Sequence, residues 1–296
     1  MTKWAAVIGS PIEHSLSPVL HSRAFSLLGL DWEYRRYEVG KESLASFFSE
    51  VDPNCVGLSV TAPLKQALLG QTDVADGLAK LVECANTVAF LPSMSAAFNT
   101  DVQGIVDAIV PSVKSLQKGI RRSLPLLVED EGGPLSGAPA PVVLGTGATA
   151  SSALAALKSI GATRVYLVGR SFAGAQNAFS IGLSLGLDVH TVLWKVADRF
   201  VEAFNEAPVM ISTVPPAATE EFAGLLTPGT SSVLLDVTYS GGESPLEAKF
   251  RQVGATVTSP LMMLTHQGLA QVKIWTSRDV PFQPVYEAVL EAAARR

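Results

Sequence analysis

Short apolar runs followed by stretches of helical spacing dominate the first third of the chain. Residues 4–9 form a continuous apolar run of strand length, and residues 18–28 carry Val19, Leu20, Ala24, Phe25, Leu27 and Leu28 on helical spacing before Gly29 closes the helix. The pattern repeats with a strand over 32–39, a helix over 42–48 and a strand over 55–60 that runs into the turn Thr61-Ala62-Pro63. Strands alternating with helices predict a mostly parallel sheet, in which ligands gather beyond the carboxyl ends of the strands. Ser15, Ser17, Thr61 and Lys65 all follow such ends.

Between residues 111 and 139 the regularity lapses. Lys114, Lys118, Arg121 and Arg122 mark one amphipathic helix, and Glu129-Asp130-Glu131-Gly132-Gly133-Pro134 with Pro125 and Pro139 as breakers marks a loop. Alternation resumes with a strand at Val142-Val143-Leu144, a helix over 148–160, a strand over 164–168 and a helix over 173–185. Further strands follow at 209–211 and 233–236, and two closing helices at about 261–275 and 284–294. The second half therefore reads as a doubly wound nucleotide-binding pattern.

The length of 296 residues allows two domains, each with its own core. At 48% hydrophobic and 17% charged, the chain is too apolar for a disordered protein. A formal charge of −5 and no basic run beyond Arg121-Arg122 argue against nucleic acid as a partner. No apolar stretch reaches the roughly 20 residues of a membrane span, and the start of the chain lacks a signal-peptide pattern, so a cytoplasmic protein is expected. Cys55 and Cys84, distant from each other and from any histidine cluster, suggest neither a disulfide framework nor a metal site.

Gly145-Thr146-Gly147-Ala148 follows a strand and opens a helix, a turn that can bring a pyrophosphate against a helix N-terminus, with Ala150 or Ala153 as the third small position. The next strand ends at Val168-Gly169-Arg170-Ser171, where an acidic side chain would bind the ribose hydroxyls of NAD and an arginine suits a 2′-phosphate. NADP is the expected cofactor. Lys65 and Asp101 each follow a strand-like segment in a polar turn, Ser59-Val60-Thr61-Ala62-Pro63-Leu64-Lys65 and Asn99-Thr100-Asp101, and together can hold and exchange a proton with a small hydroxy or keto substrate. The plain alternatives are a solvated surface lysine and a helix cap over 102–110. Asn86 adds a neutral donor and acceptor, and of the four scattered histidines His14 lies nearest the serines.

Several of these motifs, in this order, resemble the shikimate dehydrogenase family over nearly the whole chain. Ser15-Leu16-Ser17-Pro18 resembles its carboxylate-holding serine pair, Val60-Thr61-Ala62-Pro63-Leu64-Lys65 its catalytic-lysine turn, and Ala85-Asn86-Thr87 with Asn99-Thr100-Asp101 its further substrate motifs. Asp236-Val237-Thr238-Tyr239 with Ser244-Pro245-Leu246 resembles the late loop facing the cofactor, and Met263-Leu264-Thr265-His266-Gln267 the helix whose glutamine reaches the substrate ring. The resemblance implies an α/β protein whose substrate-binding catalytic domain is residues 1–103 with 262–296. Residues 104–261 are then a Rossmann-type NADP-binding domain containing the 111–139 insertion. It implies reversible NADP-dependent reduction of 3-dehydroshikimate to shikimate by a monomer or homodimer. Lys65 and Asp101 would be catalytic, and Ser15, Ser17, Thr61, Asn86, Tyr239 and Gln267 would bind substrate. Gly145, Gly147, Ala148, Arg170, Ser171, Thr213 and Val237 would bind cofactor. The chain departs from the pattern at Ser59 and Gly169, where asparagine is common, at Gly174, where a second basic residue often stands, and in the long 111–139 link. A quinate/shikimate enzyme with relaxed cofactor choice and a non-catalytic ligand-binding regulator on the same fold are the alternatives.

Overall fold

A computed structural model describes residues 2–113, 133–174, 177–239 and 242–296. The chain divides into two compact units, Met1–Gly104 with Leu264–Arg296 and Ile105–Met263. The first holds β1 (Trp4–Gly9), α1 (Ser17–Leu27), β2 (Glu33–Glu38), α2 (Leu44–Glu50), β3 (Cys55–Val60), β4 (Val74–Ala75), α3 (Gly77–Leu81), β5 (Thr87–Leu91), β6 (Met94–Phe98) and the start of α4 (Asp101–Ile109). The second holds β7 (Val142–Leu144), α5 (Ala148–Ser159), β8 (Arg164–Gly169), α6 (Ala178–Ser184), β9 (Asp188–Leu193), α7 (Val201–Asn205), β10 (Val209–Ser212), α8 (Glu220–Leu225), β11 (Val233–Asp236), α9 (Pro245–Gln252) and β12 (Thr256–Thr258). The chain returns to the first unit within α10 (Pro260–Thr276) and ends in α11 (Phe282–Ala294).

In the first unit the sheet order is β2-β1-β3-β5-β6-β4. Its first three strands are parallel, so the segments after Gly9, Glu38 and Val60 emerge at one edge. β5 runs antiparallel to β3 with Ser59 opposite Thr87, and β6 turns back along β5 with Thr87 opposite Phe98. This reversal carries Asn86, which precedes β5, and Asn99-Thr100-Asp101, which follow β6, to the edge where Thr61 and Lys65 leave β3. Trp4, Ile8, Leu58, Val60, Leu64, Leu68 and Val88 are among the residues that fill the core below it.

All strands of the second sheet are parallel, in the order β12-β11-β10-β7-β8-β9. Its central strands β7, β10 and β11 are near-continuous apolar runs because both faces are covered. Met210, Leu234, Phe204, Phe222 and Phe250 pack on one of those faces.

One expected boundary moves and one strand was not foreseen. The helix expected from 173 starts at Ala178, because Gly174 adopts φ +100° and Asn177 caps the helix by accepting from the Ser180 amide. β9 escapes the apolar-run signal because Asp188 and His190 face solvent at a sheet edge. The amphipathic helix expected within 111–139 lies mostly outside the described residues. Among the described residues no helix is long and apolar enough to cross a membrane.

Candidate active site

Gly9 ends β1 where the chain leaving β3 crosses it: a Cβ there would stand 2.4 Å from Thr61 Cγ2 and 2.8 Å from the Ala62 carbonyl oxygen. The amide of Thr61 donates to the Ile8 carbonyl at 3.0 Å, so this contact fixes the start of the Thr61–Lys65 turn. The turn closes through Leu64 N to Thr61 O, 3.0 Å, with Leu64 fully buried beneath it. Lys65 follows, and its carbonyl accepts from the Ala85 amide, tying it to the residue before Asn86.

The Lys65 ammonium reaches Asp101 Oδ2 at 2.6 Å, with side-chain exposures of 13% and 4%. These values exclude the solvated-lysine reading. The cap reading fails as well, because the Val102 amide donates to Asn99 Oδ1 and both Asp101 oxygens are otherwise engaged. Oδ1 accepts from Asn86 Nδ2 at 2.9 Å. The same amide nitrogen lies 3.0 Å from Gln267 Oε1 on α10 and 2.9 Å from Thr100 Oγ1. A short ionic hydrogen bond between largely buried groups is strong and directional, and here the neutral Asn86 amide satisfies the carboxylate oxygen that the lysine leaves open.

Ser15 is buried in the loop entering α1 and Ser17 at the helix's first position, where Pro18 suits the first helical turn. The Ser17 amide donates to Ser15 Oγ at 3.3 Å, and Arg36 on β2 donates to the Ser15 carbonyl at 3.0 Å. Among the serine, lysine, aspartate and amide positions expected to act on substrate, all lie in the first unit and at its strand-end edge or on α10. Tyr239 lies in the second unit, half-buried in the segment after β11. Sequence reading did not single out Thr87, whose hydroxyl donates to Asn86 Oδ1 at 2.9 Å, or the Thr100 backbone amide, which donates to the same oxygen at 2.8 Å. Their adjacency to Asn86 and Asp101 was the available signal.

In the second unit Gly145 has φ +112°, and a Cβ would stand 2.2 Å from Thr213 Oγ1. Thr213 is thereby placed beside the glycine turn, its hydroxyl donating to the Leu144 carbonyl at 2.8 Å. Gly147 precedes α5, and a Cβ there would meet nothing within 4 Å. The turn thus leaves open space before a 12-residue helix whose first turn holds no acidic residue, as a bound pyrophosphate requires. Arg170 follows β8, exposed and with no ion-pair partner among the described residues. Gly169 is explained by packing: its Cβ would lie 2.4 Å from Thr146 Cγ2. Gly174, at positive φ, is a strained place for any second basic side chain. Val237 donates its amide to Ser212 O, while Thr238 is held by Asp236 Oδ1.

Comparison with known proteins agrees with both halves of this picture. The model of the shikimate dehydrogenase substrate binding domain matches residues 7–88, and that of the shikimate 5'-dehydrogenase C-terminal domain matches residues 261–290. The shikimate dehydrogenase (NADP(+)) of Geobacter sp. strain M21 is 34% identical over 300 residues, covering 98% of this chain and 95% of that protein. The chain belongs to the shikimate dehydrogenase family. Among solved family members, the Mycobacterium tuberculosis shikimate dehydrogenase is 33% identical with a TM-score of 0.81, covering 98% of this chain and 99% of that one. The Thermus thermophilus shikimate 5-dehydrogenase, solved in complex with NADP(H) and shikimate, is 26% identical with a TM-score of 0.77, covering 98% and 100%. The second unit is accordingly the Rossmann-type domain of a two-domain α/β fold.

Proposed function

We propose that this chain catalyses the reversible NADP-dependent reduction of 3-dehydroshikimate to shikimate, a step of aromatic amino-acid biosynthesis, in the cytoplasm and as a monomer or homodimer. The observation that carries the reading is the buried Lys65–Asp101 pair, 2.6 Å long and tied through Asn86 to Gln267. Lys65 donates a proton to the ring oxygen during reduction and takes it back during oxidation, while Asp101 keeps the ammonium aimed. Ser15 and Ser17 hold the carboxylate, and Thr61, Asn86, Gln267 and Tyr239 read the ring hydroxyls. Each such contact rejects an analogue that would leave a buried polar group unpaired.

The open space at Gly147 and the exposed charge of Arg170 fit a phosphorylated dinucleotide. Bound NADPH supplies a hydride from its nicotinamide. Gly145, Gly147 and Ala148 would hold its pyrophosphate, Arg170 and Ser171 its 2′-phosphate, and Thr213 and Val237 the nicotinamide half. Cys55 and Cys84 are buried thiols not joined in a disulfide, which agrees with a reducing compartment.

The decisive assay follows the absorbance of reduced nicotinamide with 3-dehydroshikimate and either NADPH or NADH. Consumption of NADPH is expected. Shikimate binding without turnover with either cofactor would identify a ligand-binding regulator, and efficient oxidation of quinate with NAD would identify the relaxed quinate/shikimate enzyme instead.

A further inference from the structure

One turn beyond Gln267 on the same face of α10 lies Gln271, which no motif signals and which is 1% exposed. Its carboxamide has four polar neighbours. Nε2 donates to the Asn86 carbonyl and to Thr87 Oγ1, each at 3.0 Å. Oε1 accepts from Ser59 Oγ at 2.6 Å and lies 3.1 Å from His21 Nε2. Tyr34 in turn donates to Ser59 Oγ at 2.6 Å and stacks on the His21 ring. The amide has one sensible orientation, because reversing it would set two acceptors, Oε1 and the Asn86 carbonyl, against each other.

The consequence runs through Thr87. Its hydroxyl accepts from Gln271, so its single proton is directed to Asn86 Oδ1. Together with the Thr100 amide and hydroxyl on the same oxygen, that bond sets which end of the Asn86 carboxamide faces the lysine–aspartate pair. The nitrogen end then meets Asp101 Oδ1 and Gln267 Oε1. We infer that Gln271 is a positioning residue for the reaction: through the Asn86 carbonyl and the Thr87 hydroxyl it fixes the Asn86 amide that holds Asp101 and reads the substrate. The catalytic part of this inference rests on the proposed dehydrogenase activity; the geometric part does not.

Two measurements separate these parts. In nuclear magnetic resonance the side-chain amide protons of Asn86 should exchange with solvent at least about tenfold faster in Gln271→Met than in the wild type, since two of the bonds that order them are lost. That readout holds whether or not the chain turns over shikimate. In kinetics, Gln271→Met should lower kcat/KM for shikimate about tenfold on its own. In an Asn86→Ala background, which keeps the backbone carbonyl, the same change should cost less than about twofold, because residues acting in series are not additive. Thr87→Val, close in shape but without the hydroxyl, should reproduce the pattern and stands in if Gln271→Met does not fold. Unchanged Asn86 exchange in a folded variant, or losses that simply multiply in the double variant, would overturn the assignment. An inactive wild type would refute the proposed function alone and leave the exchange measurement to decide the positioning role.

Discussion

The strand-end edges of the two units are built in opposite ways. In the first, the candidate side chains are buried and bonded to one another before any ligand arrives: Lys65 to Asp101, Asp101 to Asn86, Asn86 to Gln267. In the second, the candidate groups are a glycine turn facing open space and an exposed arginine. The difference matches what each has to recognise. A small polyhydroxylated ring is distinguished from its analogues only by polar groups already at fixed distances, and desolvating those groups costs free energy that the mutual hydrogen bonds offset. A dinucleotide offers phosphates, which main-chain donors at a helix N-terminus and one guanidinium bind without a prebuilt cluster. The first edge should therefore fail sharply when altered and the second by degrees.

The sharpest break is Lys65→Ala. Losing a general acid-base group should lower turnover by at least about a hundredfold while weakening shikimate binding much less. Steady-state kinetics beside equilibrium binding tests this, and near-normal turnover would remove the lysine from the mechanism.

Burial also makes the first edge sensitive to acid. His21 is fully buried, and desolvation pushes its pKa down to about 4 against hydrogen bonds to the Ser17 carbonyl and Gln271 Oε1 that favour the charged ring. Because the folded value lies below the unfolded one, the stability tied to the neutral ring is present above about pH 6.5 and is lost as pH falls through 4. The full loss is on the order of 3 kcal/mol. Thermal melting between pH 7 and 4 should show a decline that His21→Gln flattens; an equally steep decline in the variant would place the titration elsewhere.

Asp101→Asn should cost about tenfold or more in turnover and lower the melting temperature as well, since it leaves the buried Lys65 charge without its partner. Asp101 faces a donor on each oxygen, Lys65 Nζ and Asn86 Nδ2, so an amide there turns its NH2 against a donor whichever way it is placed. Full activity would mean that the charge at this position is dispensable.

Much of this edge was legible in the chain, for identifiable reasons. The β3 turn and the polar Asn99-Thr100-Asp101 stand out because they interrupt apolar strands locally. The reversal of β5 and β6, which brings Asn86 and Asp101 to that turn, depends on pairing between distant strands and leaves no local periodicity. Gln271 and His21 are likewise unremarkable in sequence, since a buried polar side chain declares itself only when its partners are known. In the second unit the central strands announce themselves by composition and the polar edge strand β9 does not, while the late start of α6 depends on Gly174 and the Asn177 cap overriding the apolar spacing of residues 173–185.

The mildest change, and the one that probes the second edge, is Arg170→Ala. A charge-assisted hydrogen bond from a guanidinium to a phosphate is worth about 1.5–3 kcal/mol, roughly ten- to a hundredfold in affinity. Two features of this chain hold the effect at the lower end. Gly174 lies at positive φ, where a second cation is strained, and Gly169 is kept bare by the Thr146 methyl, so no side chain precedes the arginine to share the phosphate. Ser171 adds a hydroxyl that already accepts from the Ala173 amide at 3.2 Å and keeps its proton for a ligand. The wild type should therefore prefer NADPH about tenfold and retain measurable activity with NADH. Arg170→Ala should lower kcat/KM for NADPH by about the same factor and leave that for NADH nearly unchanged, because only the phosphorylated ribose meets the guanidinium. Equal losses with both cofactors would make the arginine a structural residue, and a hundredfold loss confined to NADPH would show that this edge is as rigidly built as the other.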